Sequence, residues 1–204
     1  MDHVPLSGKS ISRLRRGNGE NAIRAAQNGA ILSIGIDISS VSVRNAQGAA
    51  EQRGLKNCLF IQADCENTQL PDNSIDVIIC SGMLHHMDLS YAFPEMRRIL
   101  KPGGMILAVE ALDYNPLIKL YRRLTPQMRT EWEKNHILSM RDVRFAKRFY
   151  EVKSVHYWHI MTILAPKISL RLLPSFEIID KILTKIPGIR LMCWIFTFEL
   201  IKKV

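Results

Sequence analysis

The chain has 204 residues, 47% hydrophobic and 23% charged, with 11 Gly and 9 Pro. This is an ordinary globular composition, long enough for one domain that buries roughly 70% of its unfolded surface. Repeats and low-complexity tracts are absent, and no apolar run reaches the ~18 residues of a membrane-crossing helix; the nearest, Leu191 to Ile201, carries Glu199.

A net charge of +9 admits nucleic acid or an anionic membrane as partners. The cations, however, gather at Arg13 to Arg16 and scatter through 119–204 without interleaved aromatics, so nucleic acid is not favoured. Four cysteines (Cys58, Cys65, Cys80, Cys193) lack metal-site spacing, and most sit in apolar runs. They read as buried free thiols of a cytoplasmic protein, with no metal expected. The N-terminal MDHVPLSGKS has no signal-peptide core.

In chain order, SISRLRRGNGENA (10–22) pulls two ways. Its right half is a glycine turn opening a helix, where a nucleotide can approach the backbone. Its left half should be a buried strand, yet it is crowded with arginines. AILSIGIDIS (30–39) reads as a strand ending in an acid, and VSVRNAQGAAEQRG (41–54) as a helix stopped by Gly54. NCLFIQADCE (57–66) is another strand with an acid near its end, and SIDVIICSGMLHHM (74–87) another, continuously apolar from Val77 to Cys80. LSYAFPEMRRILKPGG (89–104) reads as a helix closed by Lys-Pro-Gly-Gly, and MILAVEAL (105–112) as the next strand.

Beyond 113 the pattern becomes helical over 116–138 and again around MRDVRFAKRF. A strand follows at 150–160, a helix at 171–186 and a last strand at 189–203. Apolar strands alternating with helices argue for a mostly parallel sheet covered on both faces. In such a sheet ligands bind beyond the carboxyl ends of the strands. That rule singles out Asp37, whose carboxylate can accept from both hydroxyls of a ribose, and Asp64, which can accept from an exocyclic amine. It also singles out the residues from Ser81 to His86 and from Glu110 to Asp113.

The motifs GNGENAI, GIDIS, FIQADCENTQLPDNSIDVIICSGMLHHM and MRRILKPGGMILAVEAL together resemble the class I S-adenosylmethionine-dependent methyltransferases. The likeness is to their small-molecule, ubiquinone-biosynthesis-like branch. It implies a Rossmann-like sheet of seven strands, mostly parallel, with helices on both faces and an antiparallel last strand. It further implies a single domain over 1–204 with a cofactor-binding core at 8–112. S-adenosylmethionine would be held by Gly17, Gly19, Asp37, Ile38, Asp64, Cys65, Ser81 and Gly82.

The first motif of that family runs apolar-apolar-Asp-apolar-Gly-x-Gly-x-Gly. Here Leu14, Gly17 and Gly19 fit, while Arg13 stands where the acid belongs and Arg15 where the first glycine belongs. A cation there would repel a sulfonium, and an arginine inside a buried strand is costly unless paired. Codons that spell Ile11 to Gly17 can, read one base out of frame, spell Tyr-Leu-Asp-Leu-Gly-Ala-Gly, so a compensated local frameshift would explain the departure. The family also leads one to expect an N-terminal helical segment over the cofactor, and this sequence starts only a few residues before its first strand.

Methyl transfer is an in-line displacement that rests on positioning and exclusion of water, with a base needed only where the nucleophile must lose a proton. By position His85 and His86 are the catalytic candidates, with Glu110, Asp113 and His136 behind them. Segments 113–148 and 161–188, rich in Leu, Ile and Met with interspersed Lys and Arg, are candidate lids over a small or lipid-like acceptor near an anionic membrane surface. Three other readings compete. An inactive scaffold of the same fold is favoured by Arg13 and Arg15. A nucleic-acid methyltransferase is disfavoured by the absence of an Asn/Asp-Pro-Pro-Tyr/Phe motif after IDVIIC. A nicotinamide dehydrogenase is disfavoured by LKPGG and by the acid of QADCE. Oligomeric state is left open.

Overall fold

The computed structural model describes residues 9–14, 19–125, 127 and 136–203. They form seven strands in one sheet: β1 (Ser10–Leu14), β2 (Leu32–Asp37), β3 (Cys58–Gln62), β4 (Ile75–Ser81), β5 (Leu100–Ala111), β6 (Tyr150–Trp158) and β7 (Ile195–Lys202). Their order is β3-β2-β1-β4-β5-β7-β6. Pairing is parallel from β3 through β5, and β7 runs antiparallel to both its neighbours.

Among the described residues seven α-helices connect the strands: α1 (Glu20–Gln27), α2 (Ser40–Gln52), α3 (Leu89–Ile99), α4 (Pro116–Leu124), α5 (Met140–Ala146), α6 (Ala165–Ile168) and α7 (Leu173–Leu183). The continuous apolar run of β4 explains its central place. Ile78 and Cys80 face the core around Phe93 and Met96 of α3, while Val77 and Ile79 pack with Ala25 and Ala30 on the other face. A strand buried on both sides cannot alternate polar with apolar residues.

The start of the arginine-rich segment forms β1, an interior strand between β2 and β4. Arg13 pairs with Gly35 of β2 on one side and Ile79 of β4 on the other. A parallel ladder uses backbone groups alone, so the arginine does not forbid it. The strand's start is pinned by Asp76, whose Oδ2 accepts from Ser10 N at 2.9 Å and from Lys101 Nζ at 2.8 Å.

Three boundaries differ from the sequence reading. The helix expected over 89–104 ends at Ile99, and Lys-Pro-Gly-Gly belongs to β5 rather than closing the helix. The cause is Leu100, fully buried and paired with Ile75, which pulls the chain into the sheet before the proline. The last strand starts at Ile195 instead of 189, because Ile189–Met192 coils into a 3₁₀ turn with Cys193 buried at its end. The strand expected over 74–87 ends at Ser81, and His85 and His86 lie beyond it in a 3₁₀ turn, Leu84–His86, ahead of α3.

Candidate active site

The strand order reverses between β1 and β4, which places the binding crevice beyond their carboxyl ends. Gly19 is the N-cap of α1, with φ at +68°. A Cβ there would come within 2.5 Å of both Ala46 and the Phe60 ring, and one on Gly35 would meet the same ring at 2.5 Å. Both positions therefore accept only glycine, and Phe60, which the sequence reading missed, is the residue that demands it.

Asp37 ends β2, 9% exposed, with Oδ1 accepting from Ser39 N at 2.8 Å. Ser39 in turn caps α2 by accepting from Ser42 N. Ile38, next to the acid, is 72% exposed at the edge where a ligand would lie. Asp64 lies two residues past the end of β3, in a turn, where its Oδ1 accepts from Glu66 N at 2.9 Å. Cys65 is buried, and burial first, then the carboxylates of Asp64, Asp37 and Glu66, push its thiol up to about 12. It is therefore a neutral thiol, and no nucleophile at physiological pH. Ser81 ends β4 half-buried, and Gly82 is exposed with φ at +60°. Gly17 and Arg15 lie outside the described residues.

Glu110 near the end of β5 organises the next shell. Its side chain is fully buried, and Oε1 accepts from Met83 N at 2.7 Å and Leu84 N at 2.8 Å. Oε2 sits 2.8 Å from His85 Nδ1. A carboxylate oxygen accepts, so Nδ1 is the donor in this contact. The His86 ring lies against that of His85, with centroids 4.1 Å apart and the planes tilted by 37°. His85 and His136 line one hollow of about 440 Å³ together with Asp88, Ser90, Asp142 and Phe145. Asp113 does not join them, being turned to Lys119 Nζ at 3.4 Å.

One further buried carboxylate was not foreseen. Asp180 of α7 accepts from Met161 N at 2.7 Å, Ile160 N at 3.2 Å, Thr162 N at 3.3 Å and Thr162 Oγ1 at 2.7 Å. It fixes the helical insertion between β6 and β7 to the end of β6. The sequence did carry the signal, a single acid inside the apolar run IIDKIL.

Taken together, an open sheet with a reversal at its centre, a glycine-capped helix and acids beyond the strand ends define a Rossmann-like cofactor-binding domain. The comparisons with known proteins narrow it. A family model described as a methyltransferase domain matches residues 16–108. The 27-O-demethylrifamycin SV methyltransferase of Amycolatopsis mediterranei is 36% identical over 106 residues, 50% of this chain and 39% of that one. The ubiquinone/menaquinone biosynthesis C-methyltransferase of Psychromonas ingrahamii is 40% identical over 68 residues, 32% of this chain and 27% of that one.

Among solved structures, an S-adenosylmethionine-dependent methyltransferase from Methanosarcina mazei superposes with a TM-score of 0.70 at 19% identity, over 100% of this chain and 96% of that one, a likeness of fold. The chain spans less than half the length of the curated relatives it matches. Its likeness, over residues 16–108 in sequence and over the whole chain in fold, is to S-adenosylmethionine-dependent methyltransferases of class I.

Proposed function

We propose that the chain transfers a methyl group from S-adenosylmethionine to a small or lipid-like acceptor. The observation that carries this reading is the set of groups at one sheet edge. It comprises the left-handed glycine cap at Gly19, the acid Asp37 with exposed Ile38 beside it, and the Glu110–His85 pair behind a hollow of about 440 Å³.

These residues fit the cofactor chemically. Asp37 offers carboxylate oxygens to ribose hydroxyls, Ile38 an apolar plate to a flat base, and Asp64 an acceptor to an exocyclic amine. Gly19, with Gly17 before it, lets the chain approach the methionine portion, Ser81 and Gly82 close the far side, and Cys65 adds apolar surface. When bound, the cofactor supplies a methyl group already activated on a sulfonium.

The chain's own work is positioning. Glu110 fixes His85 through Nδ1 and holds the 83–85 backbone, so His85 Nε2 is the atom to take a proton from an acceptor hydroxyl or acidic carbon. His86 and His136 set the polarity around it. The described parts of segments 113–148 and 161–188 serve as lids that keep water from the site. The quinone- and rifamycin-directed names of the relatives support a small-molecule acceptor.

Arg13 and Arg15 favour a second reading, a fold retained as an inactive binding module. Titration calorimetry with S-adenosylmethionine and S-adenosylhomocysteine separates the two, run on the chain and on Arg13→Asp/Arg15→Gly. Micromolar binding by the chain as written supports the enzyme. Binding only after both changes means a spoiled first motif, and sequencing the gene then tests for codons that yield Asp and Gly in the shifted frame. No binding by either sinks the methyl-transfer reading.

A further inference from the structure

Helix α7 is mounted inside out. Its one buried residue is the charged Asp180, while Ile178 and Ile182, one turn apart, are 60% and 59% exposed. A surface helix normally turns its apolar stripe inward, because that burial holds it to the domain. Here the four bonds to Asp180 do the holding, and the apolar stripe is left facing out, continued by Ile186 and Ile189.

The pattern extends beyond one helix. Of the nineteen large apolar side chains exposed among the described residues, nine lie within 168–189 and four on α4. The two groups are tied at their flanks, where Asn115 Nδ2, the N-cap of α4, donates at 2.6 Å to Met192 O, three residues past Ile189. Both leave the same edge of the sheet, α4 following β5 and the insertion following β6.

The charges on this face decide what covers it. Lys119, Arg123, Arg171, Lys181, Lys185 and Arg190 are exposed there, against one exposed acid, Glu177. A second copy of this chain would set the same cations face to face, on a molecule already at +9. A surface of anionic headgroups over hydrocarbon complements both the charge and the apolar side chains. We propose that the face formed by residues 116–124 and 168–190 docks on an anionic phospholipid bilayer, lying in its interface without crossing it. No helix among the described residues is long and apolar enough to cross.

The test is flotation of the full chain with phosphatidylcholine vesicles, with and without phosphatidylserine. The chain floats with the anionic vesicles at least ~10-fold more tightly than with neutral ones, and added salt weakens the binding. Ile178→Asp/Ile182→Asp lowers the affinity by about 10-fold or more with an unchanged melting temperature, both positions being exposed. Lys181→Glu/Lys185→Glu removes the preference for anionic over neutral vesicles. Failure of the unaltered chain to float, or Ile178→Asp/Ile182→Asp floating as before, overturns the proposal. So does a dimer in light scattering that this pair dissociates while no vesicle is bound. None of these readouts uses the cofactor, so the methyl-transfer reading stands or falls separately.

Discussion

Glu110 and Asp180 perform the same local task at the two ends of one sheet edge. Each is a buried carboxylate that gathers backbone amides from a loop leaving a strand: 83–84 beyond β4 for Glu110, 160–162 beyond β6 for Asp180. What they hold differs. Glu110 fixes a loop within the central core, next to Leu84 and Ala108, which are at most 1% exposed. Asp180 fixes a helical insertion whose apolar side chains face outward. Identical chemistry thus serves a loop packed on the core in one place and an outward-facing insertion in the other.

The largest effect should come from Glu110→Ala. It strands two backbone N–H groups and His85, a loss of roughly 2–4 kcal/mol, read as a lowered melting temperature for the whole sheet. A variant that melts like the parent would break the comparison at its first term. Gly19→Val follows, at roughly 2–3 kcal/mol, from a Cβ overlapping Ala46 and Phe60 in a left-handed conformation. Cofactor affinity, followed by calorimetry, should fall with it. Shrinking the ring with Phe60→Leu in the same chain should recover part of the stability if the ring is what excludes the side chain.

Asp180→Ala should look different in kind. It frees the 160–162 amides, but the sheet does not depend on them, so the loss is about 1–2 kcal/mol and local. Hydrogen exchange should speed up across 160–184 while β4 and β5 keep their protection. Equal loosening of both regions would mean that the insertion is integral to the core.

The same contrast explains what the sequence could reveal. On the cofactor side, geometry demands particular residue types, so the motifs are legible: the apolar run of IDVIIC for a strand buried on both faces, and GID for a strand ending in an acid. Position alone brought Glu110 and His85 under suspicion, but their contact depends on a 3₁₀ turn that no periodicity announces. Lys-Pro-Gly-Gly misled because Leu100, not the proline, decides where the helix gives way. On the outer side, residues 171–186 read correctly as helical, yet periodicity assigns the isoleucines inward and the acid outward. The reverse holds, because hydrogen bonds from backbone amides to one carboxylate outweigh the pattern.

The smallest effect sharpens how the cofactor side is tied together beneath its loops. Glu95 of α3 accepts from Thr68 N at 2.8 Å, from Thr68 Oγ1 and from Arg98, joining the chain after β3 to the helix. Burial pushes its carboxyl up, but the bonds from Arg98 and Thr68 outweigh this and hold it below the ordinary 4.5. A depressed folded value means the folded state binds the proton less readily than the unfolded chain. The stabilisation is therefore complete above the ordinary value and is lost as pH falls through it toward the folded one.

Glu95→Gln should lower stability by about 1 kcal/mol at neutral pH. Denaturant titrations of parent and variant should then converge as the pH is taken down through and below the ordinary 4.5. A gap of constant size across that range would show that Glu95 acts through packing alone. The ionised carboxylate would then have no part in tying the loop to α3, and the rigidity of the cofactor side would rest on Glu110 and the buried strands.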